Sequence, residues 1–234
     1  MTMKNYQEPY DVTVLVALYH AAPYLEARLE SIRSQTFFHR AHVVLLNCQD
    51  ATDESLIYDR FLNDNENVSA IHYFDHVGLY STWNDGIRSS RARYVTNANA
   101  DDQWHPEYLE RCINYLDEKE DVAIVSTGVI VTDVPNQLYP EWGRGTVGRM
   151  PMVAYPESSA GPSPMWRRSL HDVYGLFGNY RVIGDARFWE SLLAGGERFG
   201  LIDEDLVLYY LSPESLERRH DDSGTSLRDL DLAT

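Results

Sequence analysis

The sequence predicts an α/β protein with a mostly parallel central sheet that helices cover on both faces. Short apolar runs rich in β-branched residues, such as residues 12–17, are typical of strands buried on both sides. Segments with apolar residues at helical spacing, such as residues 23–35, alternate with these runs along the first half of the chain. Alternating strands and helices of this length favour strand–helix–strand units, which build parallel sheets.

The alternation can be followed element by element. The predicted strands are residues 12–17, 41–46, 68–74, 94–97 and 122–127. The helices predicted between them are residues 23–35, the segment that holds Leu56, Ile57, Phe61 and Leu62, then residues 79–90 and 106–116. The last of these begins with Pro106, which suits a first helical turn because that turn leaves its N–H groups unpaired in any case.

The alternation ends after Thr132. Residues 134–164 are rich in proline, glycine and serine, and a loop of this length usually serves a site or is mobile. The remaining predictions are helices at residues 167–174 and 186–194, a closing hairpin made of residues 198–201 and 206–211, and a frayed end from residue 221.

Composition and charge limit the partners that we expect. The chain has 234 residues, of which 44% are hydrophobic, so it suits one large globular domain. It carries 36 acidic and 20 basic residues, a formal net charge of −16. This excess repels phosphate backbones, so we expect no nucleic-acid partner. A phosphorylated small molecule stays possible as a ligand, because a bound metal ion inverts the local field.

The sequence predicts a cytoplasmic protein, although such a protein can work at the periphery of a membrane. Its longest apolar stretch, residues 12–18, is far shorter than the ~18 residues of a spanning helix, so we expect no transmembrane segment. The first residues lack the basic and apolar regions of a signal peptide. Cys48 and Cys112 are too few for a disulfide framework or a zinc site. Nothing in the sequence predicts the oligomeric state.

Parallel sheets bind ligands beyond the carboxyl ends of their strands. No glycine-rich dinucleotide motif and no P-loop motif occurs there, but Asn99, Asp101 and Asp102 follow the strand at residues 94–97. Adjacent carboxylates repel each other unless a positive charge is near, and Mn²⁺ or Mg²⁺ prefers such oxygen ligands. The alternative is a solvated helix cap, in which one of the two acids accepts hydrogen bonds from the helix that begins at Pro106. The residues alone leave both interpretations open.

Eight short stretches, taken in order, carry a resemblance to a known family. They are residues 12–20, 24–36, 51–55, 83–87, 99–102 with Pro106, 165–170, 175–177 and 184–196. Together they resemble the family two glycosyltransferases, which are nucleotide-sugar enzymes of the GT-A fold. The resemblance covers about residues 12 to 211 and implies a Rossmann-like, mostly parallel sheet flanked by helices, with a C-terminal acceptor-binding region.

The resemblance also implies an activity and a division of the chain. It implies transfer of a sugar, with inversion, from a nucleotide-diphosphate donor, most simply a UDP-sugar, to a hydroxyl of a glycan, a lipid-linked or another acceptor, as in polysaccharide biosynthesis. Residues 1–133 would form the half that binds the nucleotide sugar, and residues 134–164 a flexible loop. Residues 165–220 would form the acceptor-binding and catalytic part of the same domain, and residues 221–234 a tail.

The family pattern assigns roles to individual residues. The nucleotide sugar would be bound by Ala17, Leu18, Tyr19, Asn47, Asn84, Asn99 and Asp101. Asp101 would also hold Mn²⁺ or Mg²⁺, with support from Asp102 and with His220 closing over the diphosphate. The residues Arg167, Phe188 and Trp189 would border the acceptor site.

Asp185 falls where the family places its general base. Inverting transfer needs a carboxylate that takes the proton of the acceptor hydroxyl, and it also needs a cation that holds the departing diphosphate. The alternative for Asp185 is an acid that stabilises the start of the helix at residues 186–194. For His220 the alternative is a solvated histidine in a polar tail.

The chain departs from the family pattern at four positions. His20 replaces a common asparagine, Asn47 and Asn99 replace aspartates, and Gly184 replaces the glutamate that often precedes the base. Asparagine still accepts hydrogen bonds, so donor binding need not be lost. The last three departures motivate a second hypothesis, a catalytically degenerate protein of this fold that binds nucleotides or sugars. The retained Asp101, Asp102 and Asp185 argue against it. A sugar nucleotidyltransferase is a third, but residues 19–23 lack the glycine-rich basic loop that such enzymes need.

Overall fold

The structure is a computed structural model that describes residues 10–48, 52–152, 160–213, 215 and 225–232. Its strands are β1 (Val12–Leu18), β2 (Ala41–Asn47), β3 (Val68–His72), β4 (Tyr94–Asn97), β5 (Gln103–Trp104), β6 (Val122–Thr132), β7 (Thr146–Arg149), β8 (Met165–Arg167) and β9 (Arg198–Tyr210). Its helices are α1 (Ala22–Arg33), α2 (Thr52–Asp64), α3 (Leu79–Ser89), α4 (Tyr108–Glu118), α5 (Leu170–Tyr174), α6 (Gly184–Ala194) and α7 (Leu227–Leu232).

The nine strands of the described residues form one sheet in the order β3-β2-β1-β4-β8-β6-β9-β5, with β7 paired to β6. The pairs β3–β2, β2–β1, β1–β4 and β6–β9 are parallel. The short strand β8 lies antiparallel between β4 and β6, so it joins the two parallel blocks. The mostly parallel sheet that the sequence predicts is confirmed, and strands from both halves of the chain take part in it.

Strand β1 shows why the buried strands are continuous apolar runs. Val14 and Val16 belong to the core layer that includes Leu25 of α1, whereas Leu15 belongs to the opposite layer, with Trp83 of α3. Successive side chains of a strand point to opposite faces of the sheet. A strand with helices on both sides is therefore apolar at almost every position.

The predicted closing hairpin is wrong, because its two segments form the single strand β9. This strand is parallel to β6, with register shifts between Thr127 and Val129. The acidic residues Asp203 and Asp205 interrupt its apolar pattern, but they are exposed and paired with a cation. Arg149 of β7 donates to both carboxylates, at 2.9 and 2.6 Å, which fastens the acidic stretch to the sheet.

Other differences from the prediction concern short elements. The helix predicted at residues 167–174 is instead the end of β8 followed by the five-residue helix α5. Strands β5 and β7 have two and four residues and were not predicted. Strand β5 is too short to show a pattern, and the four residues of β7 are all exposed, so β7 has no buried apolar run like that of β4.

The helix α7 lies in the segment that the sequence predicts to be frayed. Asp231 of this helix accepts hydrogen bonds from the backbone N–H groups of Arg181, Val182 and Ile183, at distances of 2.6 to 3.1 Å. These contacts fasten α7 to the segment directly before α6. The prediction of a frayed end is therefore wrong for Leu227–Leu232.

Candidate active site

The carboxyl ends of the parallel strands meet at one edge of the sheet. Leu18 at the end of β1 pairs with Asn47 at the end of β2, and Leu15 pairs with Asn97 at the end of β4. The Tyr19 turn and the acidic corner after β4 therefore lie at the same edge, as the sequence predicts. The Leu18 side chain is buried, and its carbonyl accepts the N–H of Cys48. A contact of Ala17 and Leu18 with a nucleotide sugar stays a prediction.

Tyr19 presents an aromatic surface at this edge. Its ring is 37% exposed and lies 4.2 Å, between ring centroids, from both His20 and His76. The backbone of His20 has a φ of 55°, a left-handed conformation that is uncommon outside glycine but enriched for histidine. This turn offers stacking surface of the kind that binds the base of a nucleotide.

The two carboxylates of the acidic corner differ in their surroundings. Asp102 is completely buried, and its two oxygens accept hydrogen bonds from the Tyr210 backbone N–H at 3.1 Å and the Asn99 amide at 3.0 Å. Asp101 is half-buried. The predicted support of a metal by Asp102 does not match this geometry, because its oxygens face β9 and Asn99. We assign Asp102 a structural role.

A buried guanidinium lies beneath the corner. Arg28 of α1 has no exposed surface, stacks 3.9 Å from the centre of the Trp104 ring, and donates to the Asp102 carbonyl at 3.1 Å. Burial lowers the pKa of Arg28 to about 10, so it remains a cation at neutral pH. Burial raises the pKa of Asp102 to about 8, with a contribution in the same direction from the Asp101 charge. Burial likewise raises the pKa of Asp101, against the opposing effects of its own N–H and of Arg28.

Asp185 lies in the first turn of α6, at the edge where α3 begins. His76, shortly before α3, contacts Tyr19 at the carboxyl edge of the sheet. Tyr80, in the first turn of α3, donates a hydrogen bond to Asp185 Oδ1 at 2.8 Å. The same carboxylate oxygen accepts the backbone N–H of Ala186 at 2.9 Å. These two hydrogen bonds hold the Asp185 carboxylate in one orientation. The side chain is partly exposed, so solvent still reaches it.

Comparison with known proteins identifies the family. The model of the family described as Glycosyl transferase family 2 matches residues 13–174. The chain belongs to glycosyltransferase family 2. An uncharacterized glycosyltransferase of Bacillus subtilis, EpsJ, is 23% identical over 217 residues, which cover 88% of this chain and 62% of EpsJ. The family predicted from the eight sequence stretches is thereby confirmed.

Solved structures confirm the GT-A fold. TarS of S. aureus in complex with UDP has a TM-score of 0.70 at 18% identity, over 87% of this chain and 61% of TarS. Mannosyltransferase PcManGT of Pyrobaculum calidifontis, in complex with GDP-Man and Mn²⁺, has a TM-score of 0.67 at 15% identity, over 89% of this chain and 59% of that one. This chain spans less than two thirds of the length of EpsJ, TarS and PcManGT.

The family's divalent metal fits the acidic corner only in part. Among the described residues, no group of three or more His, Cys, Asp or Glu side chains is placed to hold a metal ion. Asp101 offers one carboxylate, and the carbonyl oxygen of Asn99 already accepts the Asn97 amide at 3.2 Å. One carboxylate together with substrate phosphates is a sufficient protein contribution for Mg²⁺-type binding. Asp101 therefore stays the predicted metal ligand of this corner.

The structure explains why this family member has Gly184 before Asp185. A Cβ at this position would lie 2.6 Å from Cδ2 of Tyr80, so any larger residue would displace the tyrosine ring. Tyr80 is almost fully buried, and its ring packs against Trp83 and Phe177 at centroid distances of 5.5 and 5.8 Å. The ring of Tyr80 thus occupies the volume that a glutamate side chain at this position would need.

Asn84, predicted to help position the donor, is buried and bonded to the backbone. Its amide donates to the Phe177 carbonyl at 2.9 Å, and its carbonyl oxygen accepts the Phe177 N–H at 3.0 Å. This pair of bonds joins α3 to the segment that leads into α6. Asn84 therefore holds the segment before α6 in place, and its predicted contact with the donor stays a prediction.

Arg167, one of the predicted acceptor residues, does not lie at the carboxyl edge. Arg167 pairs with Tyr94 at the amino end of β4, and its guanidinium donates to the carbonyls of Val122, Leu116 and Lys119. These bonds close the connection between α4 and β6 at the opposite end of the sheet. We correct the prediction for Arg167, because its donors are directed to backbone carbonyls.

Phe188 and Trp189 are core residues and not part of an acceptor surface. They are 5% and 7% exposed. The ring of Phe188 stacks on His171 at 4.7 Å, and that of Trp189 lies 5.3 Å from Trp166. A ring enclosed by other rings offers no face to a sugar, so the prediction of an acceptor role is corrected for both. Burial lowers the pKa of His171, which keeps this aromatic cluster uncharged.

Some predictions fall on residues outside those that the structure describes. His220 lies outside the described residues, as do Ala51 and residues 153–159 of the predicted loop. A metal or diphosphate contact of His220 therefore stays a prediction.

Within the described residues, no helix has the length and apolar composition that crossing a membrane needs.

Sequence reasoning missed Tyr80, Arg28 and Asp231. Arg28 had a signal, because it stands among Leu25, Leu29 and Ile32 at the spacing of one helix face, and a charge on an apolar face needs a buried partner. Tyr80 lies 105 residues before Asp185, so no local pattern connects the two.

Proposed function

We propose that this family 2 protein transfers a sugar, with inversion, from a nucleotide-diphosphate donor to a hydroxyl of an acceptor, with Asp185 as the general base. The observation that carries the proposal is the fixed and partly exposed Asp185 carboxylate at the edge that also holds Tyr19 and Asp101. Segment 165–220, which contains Asp185, is proposed as the acceptor-binding part, and a glycan or lipid-linked hydroxyl as the acceptor.

The proposed reaction assigns a step to each group. Asp185 takes the proton of the acceptor hydroxyl, whose oxygen forms a bond to the anomeric carbon of the donor sugar. The bond from that carbon to the diphosphate breaks, and its electron pair leaves with the nucleoside diphosphate. Tyr19 stacks on the base, and Asp101 holds Mn²⁺ or Mg²⁺, which when bound neutralises charge on the diphosphate. Attack opposite the leaving group inverts the anomeric centre.

The donor is proposed to be a UDP-sugar. Crystal structures of the similar protein TarS contain UDP and UDP-GlcNAc, whereas PcManGT was crystallised with GDP-Man. Because these two proteins bind different bases on a similar fold, the test must compare donors. A panel of UDP- and GDP-sugars with glycan and lipid-linked acceptors should give release of nucleoside diphosphate with one base, and NMR of the product should show the inverted anomer.

Variants of α6 test the role of Asp185. Asp185→Asn keeps the shape of the side chain but removes the base, and should lower kcat by about 10²–10⁴-fold. Glu190→Gln on the same helix is the matched control, because Glu190 is exposed and pairs only with Arg187 among the contacts of the described structure. An Asp185→Asn variant as active as Glu190→Gln would overturn the assignment.

Calorimetry tests the role of Asp101. UDP should bind more tightly with Mn²⁺ than with EDTA, and Asp101→Asn should abolish this difference while Asp121→Asn, an exposed acid paired with Arg198, should not. Equal binding of UDP by the Asp101→Asn variant and the unchanged protein, with and without Mn²⁺, would refute a metal at this corner.

A nucleotide-binding protein without transfer activity is the second candidate. It is favoured by Asn47 and Asn99, which replace acids, and by the burial of Asp102. This candidate expects UDP to bind although no donor is turned over, and expects Asp185→Asn to leave UDP binding unchanged. Turnover of any nucleotide sugar that depends on Asp185 would exclude it.

A further inference from the structure

The hydroxyl of Tyr80 lies between two acceptors. One is Asp185 Oδ1 at 2.8 Å, and the other is the backbone carbonyl of Val182, which it also contacts within hydrogen-bond distance. A phenol has one proton to donate and can also accept a hydrogen bond. Burial raises the pKa of Tyr80, and the Asp185 charge raises it further, so the phenol keeps its proton. At any moment, that proton satisfies one acceptor or the other.

We propose that Tyr80 is a positioning residue that holds Asp185 in both of its protonation states, and that Asp231 fixes the Val182 peptide against which Tyr80 switches. The inference rests on the proposed role of Asp185 as general base. It goes beyond that role because it assigns the orientation of the base to a tyrosine on α3 and to an aspartate on α7.

The two acceptors let Tyr80 stay bonded to Asp185 when the protonation state of Asp185 changes. While Asp185 is ionised, Tyr80 donates to it, and a hydrogen bond to an ionised acceptor is stronger than one between neutral groups. After Asp185 has taken the acceptor proton, its carboxyl group can become a donor. If the proton lies on Oδ1, the Tyr80 O–H turns to the Val182 carbonyl and the phenol oxygen accepts the carboxyl proton. If the proton lies on the other oxygen, Oδ1 continues to accept the Tyr80 O–H. No proton is gained or lost by Tyr80, and Asp185 stays bonded throughout.

The second acceptor is useful only if the Val182 peptide does not move. Asp231 accepts hydrogen bonds from three successive backbone N–H groups, those of Arg181, Val182 and Ile183. Val182 and Ile183 are buried, where an unpaired N–H is costly. Burial alone would raise the pKa of Asp231, but these N–H groups hold it below its usual value. The ionised carboxylate therefore keeps the peptide in place.

The packing of the ring fixes the other end of the switch. Gly184 lets the Tyr80 ring lie against the backbone of α6, and Trp83 and Phe177 enclose its remaining faces. The ring cannot tilt away from Asp185 without moving these core residues. Only the O–H rotor is free to turn, which is the motion that the switch requires.

Removal of the hydroxyl tests the proposal. Tyr80→Phe keeps the ring packing, and kcat should fall about tenfold with an unchanged KM for the donor. The temperature of thermal unfolding should also fall, because the buried Val182 carbonyl loses the hydrogen bond from the hydroxyl. Tyr174→Phe is the matched control, because the Tyr174 hydroxyl also donates to a carboxylate, that of Glu197 at 3.0 Å, and its ring lies beside Gly195 at the opposite end of α6. A purely structural Tyr80 would lower the temperature of unfolding and leave kcat and the KM for the donor unchanged.

A double variant separates this inference from the proposed function. If Tyr80 acts through Asp185, adding Tyr80→Phe to Asp185→Asn should lower kcat no further. If Asp185→Asn keeps its activity, the role of the base is wrong and the inference falls with it. If Asp185→Asn is inactive while Tyr80→Phe equals the unchanged protein, or if the two losses multiply in full, only the inference is wrong.

Asp231→Asn gives a second, independent variant should Tyr80→Phe fail to fold. It keeps the size of the side chain but weakens the bonds to the 181–183 backbone. We expect a lower kcat at an unchanged KM for the donor, and no additional loss in the Asp185→Asn background. An Asp231→Asn variant with the kcat of the unchanged protein would show that this peptide needs no such anchor, which would overturn the second part of the proposal.

Discussion

Replacement of Asp102 by asparagine should make the stability of the protein respond differently to pH. Asp102 is completely buried, and burial raises its pKa from an ordinary 3.8 to about 8. Between these two values the unfolded chain has released the proton that the folded protein keeps. The stabilising effect of this proton is complete below pH 4 and is lost as the pH rises through 8. An asparagine side chain does not titrate, so Asp102→Asn removes this dependence.

The size of the effect follows from the two pKa values. One pKa unit corresponds to about 1.4 kcal/mol, so the free energy of unfolding of the unchanged protein should fall relative to that of Asp102→Asn by up to about 1.4 kcal/mol per pH unit. Urea unfolding at pH 5, 6, 7 and 8, with EDTA present to remove divalent cations, measures the difference. Asp102→Asn should therefore gain relative stability steadily across this range.

An aspartate of opposite behaviour is the control. Arg40 and Arg93 bond to Asp11 and hold its pKa below the ordinary value despite its partial burial. Asp11 is therefore ionised in both states from pH 5 to 8, and Asp11→Asn should shift stability by the same amount at each pH. The reasoning is refuted if the Asp102→Asn difference is as flat as that of Asp11→Asn, since Asp102 would then be ionised inside the fold.

Three further changes have defined outcomes. Gly184→Ala should cost about 1–3 kcal/mol in urea unfolding and also lower kcat, because its Cβ would meet the Tyr80 ring at 2.6 Å. Tyr19→Ala should weaken UDP binding by about 1–3 kcal/mol in calorimetry without affecting unfolding, because it removes an exposed stacking surface. Arg28→Met should lower the free energy of unfolding more at pH 9 than at pH 6. Asp102, with a pKa of about 8, is mainly ionised at pH 9, and only the ionised form is attracted by the guanidinium. Equal losses of stability at both pH values would contradict this.

The parallel half of the fold could be predicted because each buried strand carries a continuous apolar signal. Strands β1 to β4 lie within a few residues of their predicted positions. Strand β9 could not be predicted, because the acidic run at Asp203 and Asp205 is stabilised by Arg149, more than 50 residues away. A residue-by-residue pattern contains no information about a partner on another strand, so tertiary contacts decided this element.

The candidate site was predictable in its position and not in its details. The edge of the sheet follows from the parallel topology, and Asp101 and Asp185 follow from the order of the family's motifs. Which of two adjacent acids points inward depends on Arg28 and on the Tyr210 backbone, and no local rule reveals either. Phe188 and Trp189 show the same limit. On an exposed helix face these rings could bind a sugar, whereas on a buried face they belong to the core, and the local sequence does not reveal which face they occupy.

The charge of the acidic corner is smaller than its sequence suggests. Asn99 is neutral, the raised pKa of Asp102 favours its neutral form at pH 7, and Arg28 supplies a fixed positive charge, which leaves Asp101 as the carboxylate that faces solvent in the described corner. A single carboxylate holds a divalent cation weakly, because such ions need several oxygen ligands. In the proposed reaction the diphosphate must then supply the remaining oxygens. Nucleotide and cation should therefore bind together, because the corner alone holds a cation only weakly.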